Sequence, residues 1–207
     1  MRKDSVVFGV AGIFFGLLVG WIIGSQQATG VAPQAAPAAQ AQSAPARQAP
    51  PPLDESAAAA LKVTADRNPS DAETRVLLGN MYFDAEQYPE AVSWYEAALK
   101  VNPKHVNAST DLGIAYYYSN QPDRALAQFD RSLALDPKHS KTLLNQGIVR
   151  AFAKQDLAGA EKAWLQVVAL APDSPEAVLA KRGLEGLRAA NPQTATPSGG
   201  KPPGGSE

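Results

Sequence analysis

The sequence predicts an all-α protein with an N-terminal transmembrane helix, a disordered linker and a solenoid of helical hairpins. Three observations predict this fold class. A long uncharged apolar run lies near the N-terminus, a segment rich in Ala, Pro and Gln follows it, and a pattern of small, aromatic and proline residues then recurs every 34 residues. A fixed period of this length is typical of stacked helical units, none of which buries its apolar face alone.

The apolar run covers residues 6–24 and contains no charged residue in its 19 positions. At a rise of about 1.5 Å per residue, such a helix spans about 28 Å, close to the hydrocarbon thickness of a bilayer. Arg2 and Lys3 precede the run, and no charge follows it until Arg47. The positive-inside rule therefore predicts that residues 1–5 are cytoplasmic and that everything after the span is exported. In a bacterium the protein would lie in the inner membrane, with its repeats in the periplasm.

A cleaved signal peptide is the alternative interpretation of this run. Such peptides have an apolar region of about 7–15 residues and end at a small-x-small site. Here the run is longer, and the best candidate site, Gln26-Gln27-Ala28, begins with a large residue. The sequence therefore favours an uncleaved signal-anchor.

Glycines recur at every fourth position of the span, and this spacing stacks them on one helix face. Missing side chains there would let a second membrane helix approach closely, which predicts self-association or packing on a partner's helix. The alternative is that glycine is simply common in membrane helices. The residues concerned are Gly12, Gly16, Gly20 and Gly24.

Residues 25–52 and 191–207 are predicted to be a linker and a disordered tail. The first segment is rich in Ala, Pro and Gln with Arg47 as its single charge, and the second is rich in Gly and Pro. Neither segment can bury enough apolar surface to offset the entropy of ordering it. We expect the linker to be a stiff tether, in part polyproline-like.

The repeats fill residues 53–190. An offset of 34 residues aligns the first two full units at five positions: Gly79 with Gly113, Tyr82 with Tyr116, Ala91 with Ala125, Tyr95 with Phe129, and Pro103 with Pro137. A third copy, with one residue inserted in its turn, supplies Gly147, Ala160, Trp164 and Pro172. The predicted divisions are a half unit at 53–71, full units at 72–105, 106–139 and 140–174, and a capping helix at 175–190.

Small residues at Gly79 and Ala91 indicate where the two helices of a unit cross most closely. Tyr82 and Tyr95 are expected to fill the space beside the crossing. Pro103 cannot continue a helix, and it forces the preceding residue out of helical geometry.

These spacings resemble the tetratricopeptide repeat family. The first unit has the Leu-Gly, Tyr, Ala, aromatic, Ala and Pro of that family at Leu78-Gly79, Tyr82, Ala91, Tyr95, Ala98 and Pro103. It departs at Arg75, where the family has Trp, and the third unit departs at Gln146 and Arg150. The resemblance implies a superhelix whose concave side, lined by the first helix of each unit, holds a peptide or a partner's helix.

The family's groove positions fall on fifteen residues of this chain. They are Val76, Asn80, Phe83, Asp84, Asn107, Thr110, Asp111, Ile114, Tyr117, Tyr118, Lys141, Leu144, Asn145, Ile148 and Phe152. Some members grip a C-terminal carboxylate with Lys and Asn side chains, and only Asn80 and Lys141 match that pattern. Since Asp111 would repel a carboxylate, the sequence argues against this clamp.

The composition argues against catalysis, metal binding and nucleic-acid binding. The chain has no cysteine, which excludes disulfides and thiolate chemistry. Its net charge of -1 gives no bulk attraction to nucleic acid. The two histidines, His105 and His139, share a Pro-Lys-His loop and are interpreted as exposed turn residues rather than metal ligands. We predict no enzyme activity, no metal and no cofactor.

The leading functional hypothesis is a membrane-tethered scaffold that binds other proteins. A chaperone-like assembly factor of the cytochrome c maturation type is the second, because membrane-anchored proteins of that type are similar in outline. A structural homo-oligomer is the third. Clients with CxxCH haem motifs would favour the second hypothesis, and a stable oligomer without other proteins would favour the third.

Overall fold

The structure, a computed structural model, describes residues 49–190. Within this range it contains helices and turns but no strand. Consecutive helices pack against each other along the chain, so the units stack in one direction as a solenoid. The helices are α1 (Glu55–Arg67), α2 (Ala72–Asp84), α3 (Tyr88–Val101), α4 (Val106–Tyr118), α5 (Pro122–Leu135), α6 (Ser140–Ala153), α7 (Leu157–Leu170) and α8 (Pro175–Ala190).

Polar caps and prolines set the starts of most helices. Asp54, Asp71 and Asp156 precede α1, α2 and α7, and each carboxylate accepts a hydrogen bond at 2.9–3.0 Å from the backbone N–H three residues later. Such a bond satisfies one of the N–H groups that a helix start leaves without a partner. Pro89 and Pro122 lie in the first turns of α3 and α5, where a missing N–H costs nothing.

Prolines also set the ends of the second helices. Asn102 follows α3 with φ -127° and ψ 88°, and Asp136 follows α5 with φ -138° and ψ 95°. Both residues precede a proline, which disfavours helical geometry at the position before it. The predicted helix end before Pro103 is therefore confirmed.

The turn inside each full unit has three residues, one of which adopts a left-handed backbone. These residues are Glu86, Asn120 and Gln155, with φ between 55° and 58°. The alignment predicts that the extra residue of the third unit lies in its turn, and this prediction is wrong. The extra residue lengthens α6 to 14 residues, compared with 13 in α2 and α4.

Each hairpin closes around one glycine and one buried aromatic ring. A Cβ at Gly79 would lie 2.5 Å from Cε1 of Tyr95, and equivalent clashes would occur between Gly113 and Phe129 and between Gly147 and Trp164. Tyr95 is 2% exposed, so its ring has no free space to move into. The glycine is small because the ring of the second helix packs directly onto the first helix.

The two departures of the third unit are both accommodated by polar partners. Gln146 is buried and donates a hydrogen bond from Nε2 to Oδ1 of Asp130 at 2.7 Å. Arg150 donates from Nη1 to Oδ2 of Asp156 at 2.7 Å, which ties α6 to the residue that caps α7. The unit keeps the hairpin geometry although its sequence leaves the family pattern.

A buried polar junction lies between the second and third units. The Thr110 and Thr142 hydroxyls are 2.6 Å apart, and the Thr142 hydroxyl lies 2.7 Å from Nδ1 of His139. The Ser132 hydroxyl donates to that of Ser109 at 2.8 Å. Because buried polar groups are costly without partners, this junction favours one register between the two units.

Candidate partner-binding groove

The first helices of the full units form the inner row of the stack. Direct contacts join α4 to α6 and α6 to α8, in addition to the contacts between consecutive helices. In a curved stack of two rows, the helices on the concave side lie closer together than those on the convex side. Helices of one row that contact each other directly therefore lie on the concave side. We therefore assign the concave side to the row that contains α2, α4 and α6.

Four of the fifteen predicted groove residues are buried: Val76, Thr110, Ile114 and Leu144. Their side chains pack between helices and offer almost no surface to a partner. Two others, Asp84 and Asn107, are exposed. Nine are partly exposed: Asn80, Phe83, Asp111, Tyr117, Tyr118, Lys141, Asn145, Ile148 and Phe152.

Four aromatic rings form a continuous cluster, called the aromatic cluster below: Phe83, Tyr88, Tyr117 and Tyr118. The Phe83 centroid lies 5.3 Å from that of Tyr88 and 5.5 Å from that of Tyr118, both edge-on. Tyr88 stacks on Tyr118 at 5.1 Å, and Tyr117 meets Tyr118 edge-on at 5.6 Å. All four rings are partly exposed. The cluster joins the C-terminal ends of α2 and α4 to the start of α3.

Sequence reasoning placed three of these rings in the groove but missed Tyr88, which begins a second helix. The available signal was the three-residue turn, which brings the first residue of α3 back beside the last turn of α2. Phe152, the fourth aromatic residue predicted for the groove, packs with Ile148 against the apolar cluster of α6, α7 and α8, just as Phe83, Tyr117 and Tyr118 pack against the apolar core of the preceding helices.

A side-chain hydrogen bond joins the two helices of the first unit, three residues before Phe83. The Tyr95 hydroxyl donates to Oδ1 of Asn80 at 2.7 Å. Burial raises the pKa of Tyr95 well above its usual range, and the negative charges of Asp111 and Asp84 raise it further.

Lys141 is the only cation among the fifteen predicted residues, and it is already paired. Its Nζ lies 2.6 Å from Oδ1 of Asp111, with the two side chains 36% and 17% exposed. Asn145 donates from Nδ2 to the backbone carbonyl of Lys141 at 2.8 Å. Because Lys141 pairs with Asp111, the groove does not present this clamp residue unpaired to a ligand carboxylate, whereas Tyr95 occupies only the amide oxygen of Asn80.

Asp84 has a different environment from Asp111. It is an exposed residue at the last position of α2, yet the atoms around its carboxyl displace enough water to raise its pKa. Within residues 49–190 no Lys, Arg or His side chain forms an ion pair with it. Asp84 is thus a partly desolvated negative charge next to Phe83.

The histidines were interpreted as exposed turn residues; both lie in turns, but neither is fully exposed. His105 and His139 are partly buried N-caps of α4 and α6. Nδ1 of His105 accepts from the Ala108 N–H at 3.1 Å, and its Nε2 lies 2.9 Å from Oε1 of Glu73 in the preceding unit. His139 repeats the link, with Nε2 3.0 Å from Oδ1 of Asn107. Each histidine therefore joins two units.

Across residues 49–190, no three His, Asp or Glu side chains come together in a way that could hold a metal ion. No helix within that range is both long enough and apolar enough to cross a bilayer. The predicted span at 6–24, with Gly12, Gly16, Gly20 and Gly24, lies outside the described residues, as do most of the linker and the tail.

Solved structures share this fold. The first TPR of Spaghetti (RPAP3), bound to the HSP90 peptide SRMEEVD, is 26% identical, and the match covers 60% of this chain and 94% of that chain with a TM-score of 0.52. MamA is 18% identical over 67% of this chain and 86% of its own, with a TM-score of 0.55. The Yersinia enterocolitica secretion chaperone SycD, in complex with a peptide of the translocator YopD, is 20% identical over 59% and 93%, with a TM-score of 0.54.

Family comparisons agree with the structural ones. No curated protein matches the chain. Two tetratricopeptide repeat models match, one over residues 70–138 and the other over residues 110–175. Together these matches span about half of the 207 residues and include the three full units. The units are tetratricopeptide repeats, and the chain belongs to the tetratricopeptide repeat family.

Proposed function

We propose that this chain is a membrane-tethered scaffold whose groove holds a peptide or helix of a partner protein. The observation that carries the proposal is the aromatic cluster, of which three partly exposed rings lie on the inner row of helices and the fourth, Tyr88, at the start of α3. Aromatic side chains dominate the binding energy of protein interfaces. Partly exposed aromatic rings that form a contiguous patch are candidates for a contact surface with another protein.

Two related structures support a peptide as the occupant. The Spaghetti (RPAP3) repeat is described with an HSP90 peptide, and SycD is described with a YopD peptide. The tether is proposed from residues 6–24, and the periplasmic position of the repeats from Arg2 and Lys3.

The central experiment substitutes the exposed rings and measures capture of the native partner. A photo-crosslinking amino acid in place of Tyr118 first identifies that partner in native membranes by mass spectrometry. Tyr117→Ala, alone or with Tyr118→Ala, should then weaken its capture at least tenfold. An aromatic hot spot contributes about 2 kcal/mol or more, and about 1.4 kcal/mol corresponds to a factor of ten.

Lys100→Ala is the matched control, because Lys100 is exposed on α3 in the outer row. Glu96 is less suitable, since it accepts hydrogen bonds from Tyr116 at 2.5 Å and Arg124 at 3.2 Å. Circular dichroism confirms that each variant is folded. If folded tyrosine variants capture the partner as well as the parent chain does, the groove is not its binding site.

A further inference from the structure

The groove has an imbalance of charge that indicates what it binds. Among its predicted residues Lys141 is the only cation, whereas Asp84 and Asp111 are anions. Asp111 lies 2.6 Å from Lys141 and neutralises it. The remaining charge is that of Asp84, which has no ion-pair partner in the described part of the chain.

This remaining charge is not fully hydrated. Loss of water around its carboxyl raises the pKa of Asp84, so its ionised form is less stable than that of an ordinary surface aspartate. A cation brought beside it would restore part of the lost stabilisation. Phe83 precedes Asp84 in the chain, so a segment held by Asp84 lies within reach of the aromatic cluster, and the face of an aromatic ring attracts a cation.

Asp111 contributes by making the groove unattractive to an acidic segment. With Lys141 unpaired, the groove would hold one cation and could attract an acidic segment. The ion pair from α4 to α6 fills that position from within the protein. A ligand carboxylate would have to displace Asp111 and would then lie next to it, at a cost in like-charge repulsion.

We propose, building on the function proposed above, that the groove takes a partner segment carrying a basic side chain next to an apolar one. Asp84 pairs with the cation, the aromatic cluster packs against the apolar side chain, and Asp111 keeps Lys141 from attracting acidic segments. Arginine fits this site best, because its planar guanidinium both pairs with carboxylates and stacks on aromatic rings.

The test uses the full chain and three synthetic peptides that differ at one side chain. Each peptide is acetylated and amidated, so that its termini carry no charge. Each places a leucine next to arginine, next to citrulline, the uncharged analogue of arginine, or next to glutamate. Fluorescence anisotropy should show that the arginine peptide binds about five-fold or more tightly than the citrulline peptide, from an exposed ion pair and a cation–π contact.

Two aspartate variants identify the source of this preference. Asp84→Asn should abolish the difference between the arginine and citrulline peptides. Asp173→Asn removes an exposed carboxylate between α7 and α8 and should leave the difference intact. A preference that persists in Asp84→Asn, or no binding by any of the three peptides, overturns the proposal.

A second pair of variants tests the role of Asp111. Asp111→Asn frees Lys141 and should raise the affinity for the glutamate peptide, and adding Lys141→Ala should cancel the gain. If the glutamate peptide gains nothing, Asp111 does not set the specificity of the groove.

The two proposals can fail separately. Peptides that bind in a Tyr117-dependent way without regard to charge would refute the charge preference and leave the groove function standing. Native partner capture that does not depend on Tyr117 would refute both.

Discussion

Replacing Gly79 by leucine tests the packing on which every unit depends. Even the first added carbon would lie 2.5 Å from Cε1 and 2.6 Å from Cδ1 of the Tyr95 ring. The ring cannot move aside easily, because Tyr95 is 2% exposed and its hydroxyl is bonded to Asn80. The strain must therefore separate α2 from α3 or break the hydrogen bond.

The expected size of the effect follows from two opposing contributions. Overpacking a core costs about 1–3 kcal/mol, and a whole leucine side chain at this position should reach the upper end of that range. Leucine is a better helix former than glycine and returns a little under 1 kcal/mol. The net loss is about 2 kcal/mol. For a chain of this size, about 2–4 °C in melting temperature corresponds to each kcal/mol, so Gly79→Leu should melt about 4–8 °C lower.

Thermal unfolding followed by circular dichroism measures this loss. Gly186→Leu is the control, because Gly186 lies partly exposed in α8 and a leucine there changes mainly the helix propensity. A second check uses Tyr95→Leu, whose smaller side chain leaves room at the crossing. Gly79→Leu should cost less in that background, since contacting residues are coupled. An equal cost in both backgrounds would show that the ring does not restrict this position.

Three further predictions concern the junction, pH and topology. Thr142→Val should lower the free energy of unfolding by about 1–3 kcal/mol in denaturant titrations, because Thr110 and His139 each lose a buried hydrogen-bond partner. Thr64→Val, on the exposed face of α1, is the control and should not have this effect. Burial lowers the pKa of His139 from 6.5, so the folded chain binds this proton less readily than the unfolded chain. The free energy of unfolding should therefore fall as the pH drops below about 6.5 and level off below the folded-state pKa. His139→Asn should flatten that part of the stability profile. Alkaline phosphatase fused after Glu207 should be active, and an inactive fusion would refute the predicted orientation.

The sequence predicts contacts within a unit well because they follow from its period. Gly79 and Tyr95 recur as Gly113 and Phe129 at the same spacing, and the structure brings each pair into contact. Pro103 ends its helix for a reason that depends on one neighbour only. Such local constraints act on the chain before any unit packs against another.

Contacts between units were harder to predict. Val76, Thr110 and Leu144 lie 34 residues apart, were all assigned to the open groove, and are all buried. Their period is correct, but their exposure depends on how closely neighbouring first helices approach. That distance is set by curvature, which no single unit encodes.

The histidines show the same difficulty. In sequence, His105 and His139 are polar residues in a loop, which normally indicates solvent exposure. In the structure each reaches a side chain 32 residues earlier, Glu73 and Asn107 respectively. Loop composition identifies the turn correctly, but the partner lies in another unit and gives no local signal.

The ion pair of Asp111 with Lys141 joins two neighbouring first helices, α4 and α6, on the side where we propose that a partner binds. Its side chains are partly exposed, so the pair contributes little to stability, about 0–1 kcal/mol. The junction between α4 and α6 already has the buried Thr110–Thr142 contact to hold it. We therefore expect the pair to matter mainly for what the groove accepts, because it occupies Lys141, the one cation among the fifteen predicted groove residues. Specificity in this scaffold can then change by a substitution at Asp111 without loss of the fold.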